Sequence, residues 1–434
     1  MASNVKNSNL IVGLDIGTSK VVCIVGKYNE SNDLEIVALG SYPSSGLKRG
    51  IVVNIDATTD AIKKAVDQAQ SMIEEKIKNV FVGIAGNHVK SLNSHGTHGI
   101  KDNEVSNWDL EKVNESAQAM AIPSDQRVLH VIPQKYVIDG QEVSLDPLGM
   151  SGVRLESKVH LVTCAESAMK NIEKCVRNCG LNVERFVLEQ LASSYSILSE
   201  DEKDLGVCLV DIGGGTTDIA IFKSGAIQFT GVLPIAGDQV TSDIAQALRT
   251  PTPQAEEIKQ KHGCALSQFT RKDETIEVQG VGGRPPVDLS RAALADIIQP
   301  RYTEFFDLVK AEITRNDYQE KITAGIVLTG GTSKMEGVVE LAESVFQTTV
   351  RLGVPSSFKG METILQNPIY ATSIGLIDYG FKQMNEEMLS EQNQGFFSKL
   401  LRIVKSEYWL YPPIDLESKF MIKFRWFPIL WSQF

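Results

Sequence analysis

The apolar positions of this chain follow two rhythms that alternate along most of its length. Short unbroken apolar runs predict buried strands, among them Leu10-Ile-Val-Gly-Leu14, Val21-Val-Cys-Ile-Val25, Val80-Phe-Val-Gly-Ile-Ala85, Leu205-Gly-Val-Cys-Leu-Val210 and Ile219-Ala-Ile-Phe222. Over Asp56–Lys78 the spacing is helical instead, with Ile62, Ala65, Val66, Ala69, Met72 and Ile73 on one face. Further helices are predicted over Ala165–Asn178, Glu189–Ser199, Ala236–Leu248, Gln254–His262 and Leu289–Arg315, with a closing helix from Ala371. Gly263 reads as the C′ glycine that ends its helix. Strands and helices in this alternation predict an α/β fold.

Residues 87–163 break the rhythm. A helix at Asn107–Met120 and strands at Arg127–Val137 and Lys158–Cys164 predict a small inserted α+β module. Five of the six histidines lie in it (His88, His95, His98, His130 and His160), and their spacing matches no metal-ligand pattern.

Two of the predicted strand pairs enclose the same kind of turn. Asp211-Ile-Gly-Gly-Gly-Thr-Thr-Asp218 joins one pair and Asp15-Ile-Gly-Thr-Ser-Lys20 the other. Gly17, Gly213, Gly214 and Gly215 expose backbone N–H groups that an anionic oxygen can approach. Thr18, Ser19, Thr216 and Thr217 add hydroxyls and Lys20 a cation. The carboxylates Asp15, Asp211 and Asp218 suit a hydrated magnesium ion rather than phosphate itself. A third glycine stretch, Thr329-Gly330-Gly331-Thr332-Ser333-Lys334, also follows a strand and opens a helix. Three such turns in this order resemble the two phosphate motifs and the adenosine motif of the superfamily of actin, sugar kinases and heat-shock chaperone ATPases.

Composition narrows the partners. With 434 residues the chain is long enough for more than one substantial core, and its net charge of −11 argues against broad nucleic-acid binding. The six cysteines sit mostly in apolar runs and read as reduced core thiols; Cys175 and Cys179 share a helix face without a second ligand pair. A polar start leading straight into a strand predicts no signal peptide, and no apolar run is long enough to span a bilayer.

Residues 384–394 read as a polar linker. Beyond it, Phe396, Phe397, Leu400, Leu401, Ile403 and Val404 form one broad face of a predicted helix, and Ser398, Lys399, Arg402 and Lys405 the other. A basic face opposite an aromatic and leucine face predicts an interfacial membrane helix.

The hairpins, the placement of the insert, Val281-Gly-Gly-Arg-Pro-Pro286, Pro300-Arg-Tyr-Thr-Glu304 and the amphipathic segment together resemble the FtsA family of actin-related bacterial division proteins over about residues 8–405. The resemblance implies two related halves flanking a nucleotide cleft. The first core subdomain would take 8–86, 164–203 and 376–390, and the inserted one 87–163. The second core would take 204–240 and 302–375, its small subdomain 241–301, and the linker, helix and tail 391–434. It implies ATP and Mg2+, with Gly17, Thr18, Ser19, Lys20, Gly213, Gly214, Gly215, Thr216, Thr217 and Gly237 at the phosphates. Asp15 and Asp211 would orient magnesium, Gly330, Gly331, Ser333 and Lys334 would meet the adenosine, and Glu256 and Lys259 its ribose. Glu189 or Gln190 would orient an attacking water, with Glu189 preferred. Phe396, Phe397, Lys399, Leu400, Leu401, Arg402, Val404 and Lys405 would hold inner-membrane lipids on the cytoplasmic side. The implied partners are further copies of the chain in filaments, other division proteins, and the acidic C-terminal tail peptide of FtsZ, docked near Arg291 and Arg301. Turnover of ATP would be slow at most. A pilus or cell-shape adaptor on the same fold is the alternative; a small-molecule kinase ranks lower, since no separate catalytic Asp is found.

One departure stands out. In that family the amphipathic helix usually closes the chain, whereas here residues 406–434 follow and carry Trp409, Trp426 and Trp431. A second interfacial segment, a docked strand or an unfolded tail all fit that composition.

Overall fold

Each glycine turn is held in place by a sheet, and the two sheets repeat one wiring. The computed structural model describes residues 10–385 except 29–33, 120–121, 144, 272, 284, 357, 362–363 and 365. The amphipathic segment and the aromatic extension therefore lie outside the described residues. In the first sheet β1 (Leu10–Ile16), β2 (Lys20–Tyr28) and β3 (Leu34–Pro43) form an antiparallel meander. The short ribbon of β4 (Leu47–Lys48) and β5 (Ile51–Val52) leads into α1 (Ile55–Gln70). After α1, β6 (Asn79–Ile84) pairs parallel with β1.

Helix α1 starts where Asn54 accepts the Ala57 N–H at 3.0 Å, as an N-cap should. It presses so closely on β3 that a Cβ on Gly40 would fall 1.8 Å from the Ala65 carbonyl. The apolar spacing runs on to Ile73, yet the helix stops at Gln70. The Gln70 side chain donates to the carbonyls of Ile73 and Glu75 and accepts the Ile77 N–H, so a local side-chain network replaces the next helical turn.

The inserted module is a four-stranded antiparallel sheet in the order β7-β10-β8-β9, made by β7 (Val89–Gly99), β8 (Gln126–Ile138), β9 (Gln141–Val143) and β10 (Arg154–Ala165). Its helix α2 (Asn107–Gln118) opens on a Ser106–Asp109 capping box and lies against β7, where Gly96 leaves no room for a Cβ beside the Val113 carbonyl. The histidine-rich stretch Ser94–Gly99 is thus part of a long edge strand. Among the described residues no cluster of His, Cys, Asp or Glu fit for a metal occurs.

The chain then returns to the first sheet through α3 (Glu166–Asn178) and β11 (Asn182–Leu188), giving the order β11-β6-β1-β2-β3. Helix α4 (Glu189–Ile197) and α5 (Glu200–Leu205), the latter opened by a Ser199–Glu202 capping box, carry it to the second half.

There β12 (Val207–Ile212), β13 (Thr217–Lys223) and β14 (Ala226–Leu233) form the second antiparallel meander. The helices α6 (Gly237–Leu248) and α7 (Thr252–His262) follow, then the hairpin of β15 (Thr275–Val278) and β16 (Val287–Ser290). Leu289 belongs to that hairpin, so α8 runs from Arg291 to Arg315, with Pro300 inside it and Tyr302, Phe305 and Phe306 in the core. Strand β17 (Ile326–Thr329) pairs parallel with β12, and β18 (Val350–Leu352), reached through α9 (Val338–Phe346), pairs parallel with β17. The order β14-β13-β12-β17-β18 matches the first sheet strand for strand. The last described helix, α10, covers 371–385.

Two further details depart from the sequence reading. Gly263 ends α7 in an extended conformation, φ −61°, rather than a left-handed one. A Cβ there would meet the Met335 sulfur at 2.7 Å, so close packing is what favours glycine. The third glycine turn continues as a short 3-10 stretch over Gly331–Lys334 before α9 begins.

Candidate functional site

Because the halves share one wiring, β1 and β12 deliver their turns to the same cleft. The turns close alike: the Gly17 N–H donates to the Lys20 carbonyl at 3.0 Å and the Gly213 N–H to the Thr216 carbonyl at 2.9 Å. They also touch across the cleft, since a Cβ on Gly214 would lie 2.0 Å from Ser19 Oγ and one on Gly215 2.8 Å from Thr18 Oγ1. Only a residue without a side chain permits that approach. The cavity between them measures about 610 Å3.

Its floor is acidic. Asp15 accepts from Ser373 Oγ at 3.1 Å, and Asp211 from Ser193 Oγ at 2.9 Å and Thr372 Oγ1 at 3.3 Å. Asp218 accepts from Gln190 Nε2 at 2.9 Å and Thr216 Oγ1 at 3.0 Å. Glu189, the first residue of α4, lines the same cavity, its Cγ 3.2 Å from where Gly83 would carry a Cβ.

Burial raises all four carboxyls. Asp211 is pushed up to about 6 despite its hydroxyl donors. Asp218, buried beside the Asp211 charge, is pushed up to about 8. Asp15 is raised with Lys20 opposing, and Glu189 is raised well above the usual range by burial and by its acidic neighbours. Burial also lowers Lys20 to about 8; its ammonium donates to the Ile369 carbonyl at 3.1 Å and stands 4.5 Å above the Tyr370 ring. Crowded carboxylates at a glycine cradle fit a divalent cation with an anionic ligand, which together restore the charge balance. The buried Gln190 Oε1, which has no hydrogen-bond partner, is a further polar atom of this region without protein compensation.

The third turn closes the far wall. Gly330 has φ +86°, and a Cβ on it would fall 2.3 Å from Asp211 Oδ1. Thr332 Oγ1 donates to the Gly213 carbonyl at 2.7 Å, tying this turn to the second hairpin. Gly331 and Lys334 line the cavity. Glu256 and Lys259 reach it from α7 as an ion pair of 2.7 Å, and Lys259 also donates to the Gly237 carbonyl at 3.1 Å and to Thr241 at 2.8 Å.

Three of the proposed contact residues stand behind the wall instead of on it. Thr217 Oγ1 is spent on the Ile235 carbonyl at 2.7 Å and Ser333 Oγ on the Gly330 carbonyl at 2.7 Å. Gly237 is buried beside Thr332, its N–H donating to the Gly213 carbonyl at 3.2 Å. Gln190 is likewise committed to Asp218, which leaves Glu189 as the one of that pair facing the cavity.

Arg291 and Arg301 lie ten positions apart on α8 and are not brought together. Arg291 edges the cavity, paired with Glu274 at 3.2 Å and with Glu336. Arg301 grips Asp243 through Nε at 2.6 Å and a second nitrogen at 3.0 Å, and also meets Glu304. Both cations are already answered by carboxylates of the chain, so an acidic peptide would have to displace those. The proposed membrane-binding residues, Phe396 to Lys405, lie outside the described residues.

Sequence reasoning left Thr332 and Gly50 out of the cavity lining, and kept Asp218 as a flanking carboxylate without carrying it into the implied magnesium pair. Asp218 had a usable signal: directly opposite Asp211 across the hairpin, it must face the same side. Gly50 had none in its own surroundings, because folding alone brings its loop to the cleft.

Two matched meanders, hairpins facing one cleft and a third glycine turn beside them define an actin-like ATPase fold. The "PilM-PilN type IV pilus biogenesis complex" has the same fold, with TM-score 0.64 and 18% identity over 86% of this chain and 98% of that one. MreB5 of Spiroplasma citri bound to ADP has it with TM-score 0.53 and 16% identity, over 87% and 99% of the two chains. Sequence separates the chain from these. The family model described as "Cell division protein FtsA" matches residues 208–375, and that of the "SHS2 domain inserted in FTSA" residues 86–163. Cell division protein FtsA of Pseudomonas aeruginosa is 60% identical over 386 residues, 89% of this chain and 93% of that protein. Its counterpart in Escherichia coli K12 is 46% identical over 380 residues, 86% and 90% of the two chains. The chain belongs to the FtsA family of cell division proteins.

Proposed function

We propose that this protein binds ATP with magnesium in the cleft, polymerises on the cytoplasmic face of the bacterial inner membrane and anchors FtsZ there through the FtsZ C-terminal tail, so that later division proteins can assemble. The observation that carries the reading is the contact of two glycine hairpins that share Asp-Ile-Gly, Ser19 against Gly214, over a floor of buried carboxylates. With the Gly17 and Gly213 N–H groups spent on closing their turns, the backbone N–H groups of Gly214 and Gly215 would take the phosphate oxygens with Lys20. Asp15 and Asp211 would hold magnesium through its waters, and magnesium when bound offsets the charge on the phosphates. Glu189, with its raised proton affinity, would take a proton from a water at the terminal phosphate, so hydrolysis depends on how well α4 holds that carboxyl. Gly330, Gly331 and Lys334 would face the adenosine, and the Glu256–Lys259 pair the ribose.

Binding one ligand with both hairpins favours the closed arrangement of the two halves, which is how nucleotide would govern filament formation. Avidity then makes a weak anchor sufficient: each bound copy adds the basic, aromatic segment 395–405 to the lipid. The test is vesicle flotation of the full chain against a chain ending at Gln394, on anionic vesicles with FtsZ, with and without magnesium and ATP. The full chain should float and carry FtsZ upward, more so with nucleotide, and the shortened chain should stay below. Equal flotation of the two chains would remove the anchor from this reading.

A further inference from the structure

The hairpin of β4 and β5 turns on two residues, Arg49 and Gly50, since Lys48 pairs with Ile51 and Leu47 with Val52. Both turn residues have positive φ, +51° and +76°, the sign pattern of a type I′ turn. Asparagine or aspartate followed by glycine suits that turn; a long branched cation at its first position holds strain that a neutral sequence would avoid. Strain of this kind at a cleft is a pointer to a role.

The turn sits where both phosphate hairpins meet. The Gly50 N–H donates to Thr18 Oγ1 at 3.4 Å in the first hairpin, and Gly50 lines the cavity. On the other side, the Arg49 Cα lies 3.2 Å from the point where Gly215 of the second hairpin would carry a Cβ. The tip is pinned from below as well, because a Cβ on Gly86 would come 3.2 Å from the Arg49 carbonyl and one on Gly50 2.5 Å from that of Ala85. The backbone of Arg49 is therefore fixed over the junction of the two halves, while its side chain is exposed and makes no hydrogen bond or ion pair among the described residues. Asp238, whose carboxyl lies within reach of the Arg49 charge as well as those of Lys259 and Glu256, stands 3.4 Å from the place a Gly214 Cβ would occupy.

Four carboxyls, Asp15, Glu189, Asp211 and Asp218, face the phosphate end, and Lys20 is the only cation within the two hairpins. A triphosphate brings more negative charge to that end than a diphosphate does, and a planar guanidinium is suited to phosphate oxygens.

Resting on the nucleotide reading of this cleft, we infer that Arg49 is a specificity-determining residue that closes on the terminal phosphate and makes the site prefer nucleoside triphosphate over diphosphate. Its rigid, strained backbone spares the site the cost of ordering the loop when ligand arrives.

The test is calorimetric titration of the full chain with magnesium–ATP and magnesium–ADP, for wild type, Arg49→Asn and Arg49→Lys. Asparagine suits the turn and carries no charge, so Arg49→Asn should melt no lower than wild type. It should bind ATP at least about tenfold more weakly while ADP affinity stays within about threefold, with Arg49→Lys between. If wild type binds neither nucleotide, the reading of the cleft fails. If wild type binds both and Arg49→Asn keeps its ATP affinity, or loses ATP and ADP equally, the role of Arg49 is overturned.

Discussion

Close contact rather than charge sets the strictest requirement at single residues of this site. Ser19 and Gly214 face each other with no space for one more carbon, and Gly330 stands the same way against Asp211. Gly214→Ala should therefore keep the two hairpins apart, costing about 1–3 kcal/mol where closure is needed. Titration with magnesium–ATP should then show roughly a 5- to 150-fold loss of affinity with the melting temperature little changed; unaltered affinity would mean that the hairpins do not close on one ligand. Asp15, Asp211 and the glycines were legible in the sequence because strand, carboxylate and turn stand next to one another. The commitments of Gln190 to Asp218, Thr217 to Ile235 and Ser333 to Gly330 were not. A hydroxyl near a motif has many acceptors in reach, and only the fold decides which one it meets.

Elements were legible wherever the apolar period was long and uninterrupted. The strands of both meanders and the helix over α8 follow from it, although Pro300 sits inside that helix. The period did not mark where α1 ends, because Gln70 turns the chain by side-chain bonds that leave apolar residues in phase beyond it. Nor did it find β7, whose small and polar residues suit an edge strand packed under α2.

Strands β7, β8 and β10 join the inserted sheet to the second half through polar contacts, Ser91 Oγ on β7 donating to the Thr230 carbonyl at 3.0 Å. His160 Nδ1 bonds Asn93 Oδ1 at 2.8 Å and its Nε2 bonds Thr230 Oγ1 on β14 at 2.9 Å, while Gln134 Nε2 donates to the Ile227 carbonyl at 2.9 Å. On the first half, His130 Nε2 accepts the Leu188 N–H at 3.0 Å, just ahead of Glu189. Burial lowers both imidazoles from 6.5 to about 4, with Arg185 adding to the effect at His130. Folded, they stay neutral where the unfolded chain takes up protons. Their contribution to stability is complete above about pH 6.5 and is lost as pH falls toward 4. Thermal melting should drop across that window. His160→Gln should be less stable than wild type at pH 7, by about 1–3 kcal/mol, and should lose less on acidification. A variant that loses as much as wild type would assign the acid response elsewhere.

At the scale of the whole molecule, duplication explains why one cleft exists. Two sheets wired alike point equivalent turns at each other, so the motif that begins the chain and the one beyond its middle form a single site. The internal repeat was visible as two copies of Asp-Ile-Gly, and the resemblance to the FtsA family carried the rest of the architecture, including the inserted module. The contact surface of that module with β14 had no local signal, since the residues that meet there are far apart in sequence. Among the described residues no helix is long and apolar enough to cross a membrane.

The central claim is that three turns from two halves hold one magnesium nucleotide together. Hydrogen exchange followed by mass spectrometry, on the full chain with and without magnesium–ATP, tests it directly. Peptides covering Asp15–Lys20, Asp211–Thr217 and Gly330–Lys334 should gain protection together, with the same dependence on nucleotide concentration. Protection of one turn alone, or of all three without nucleotide, would contradict it.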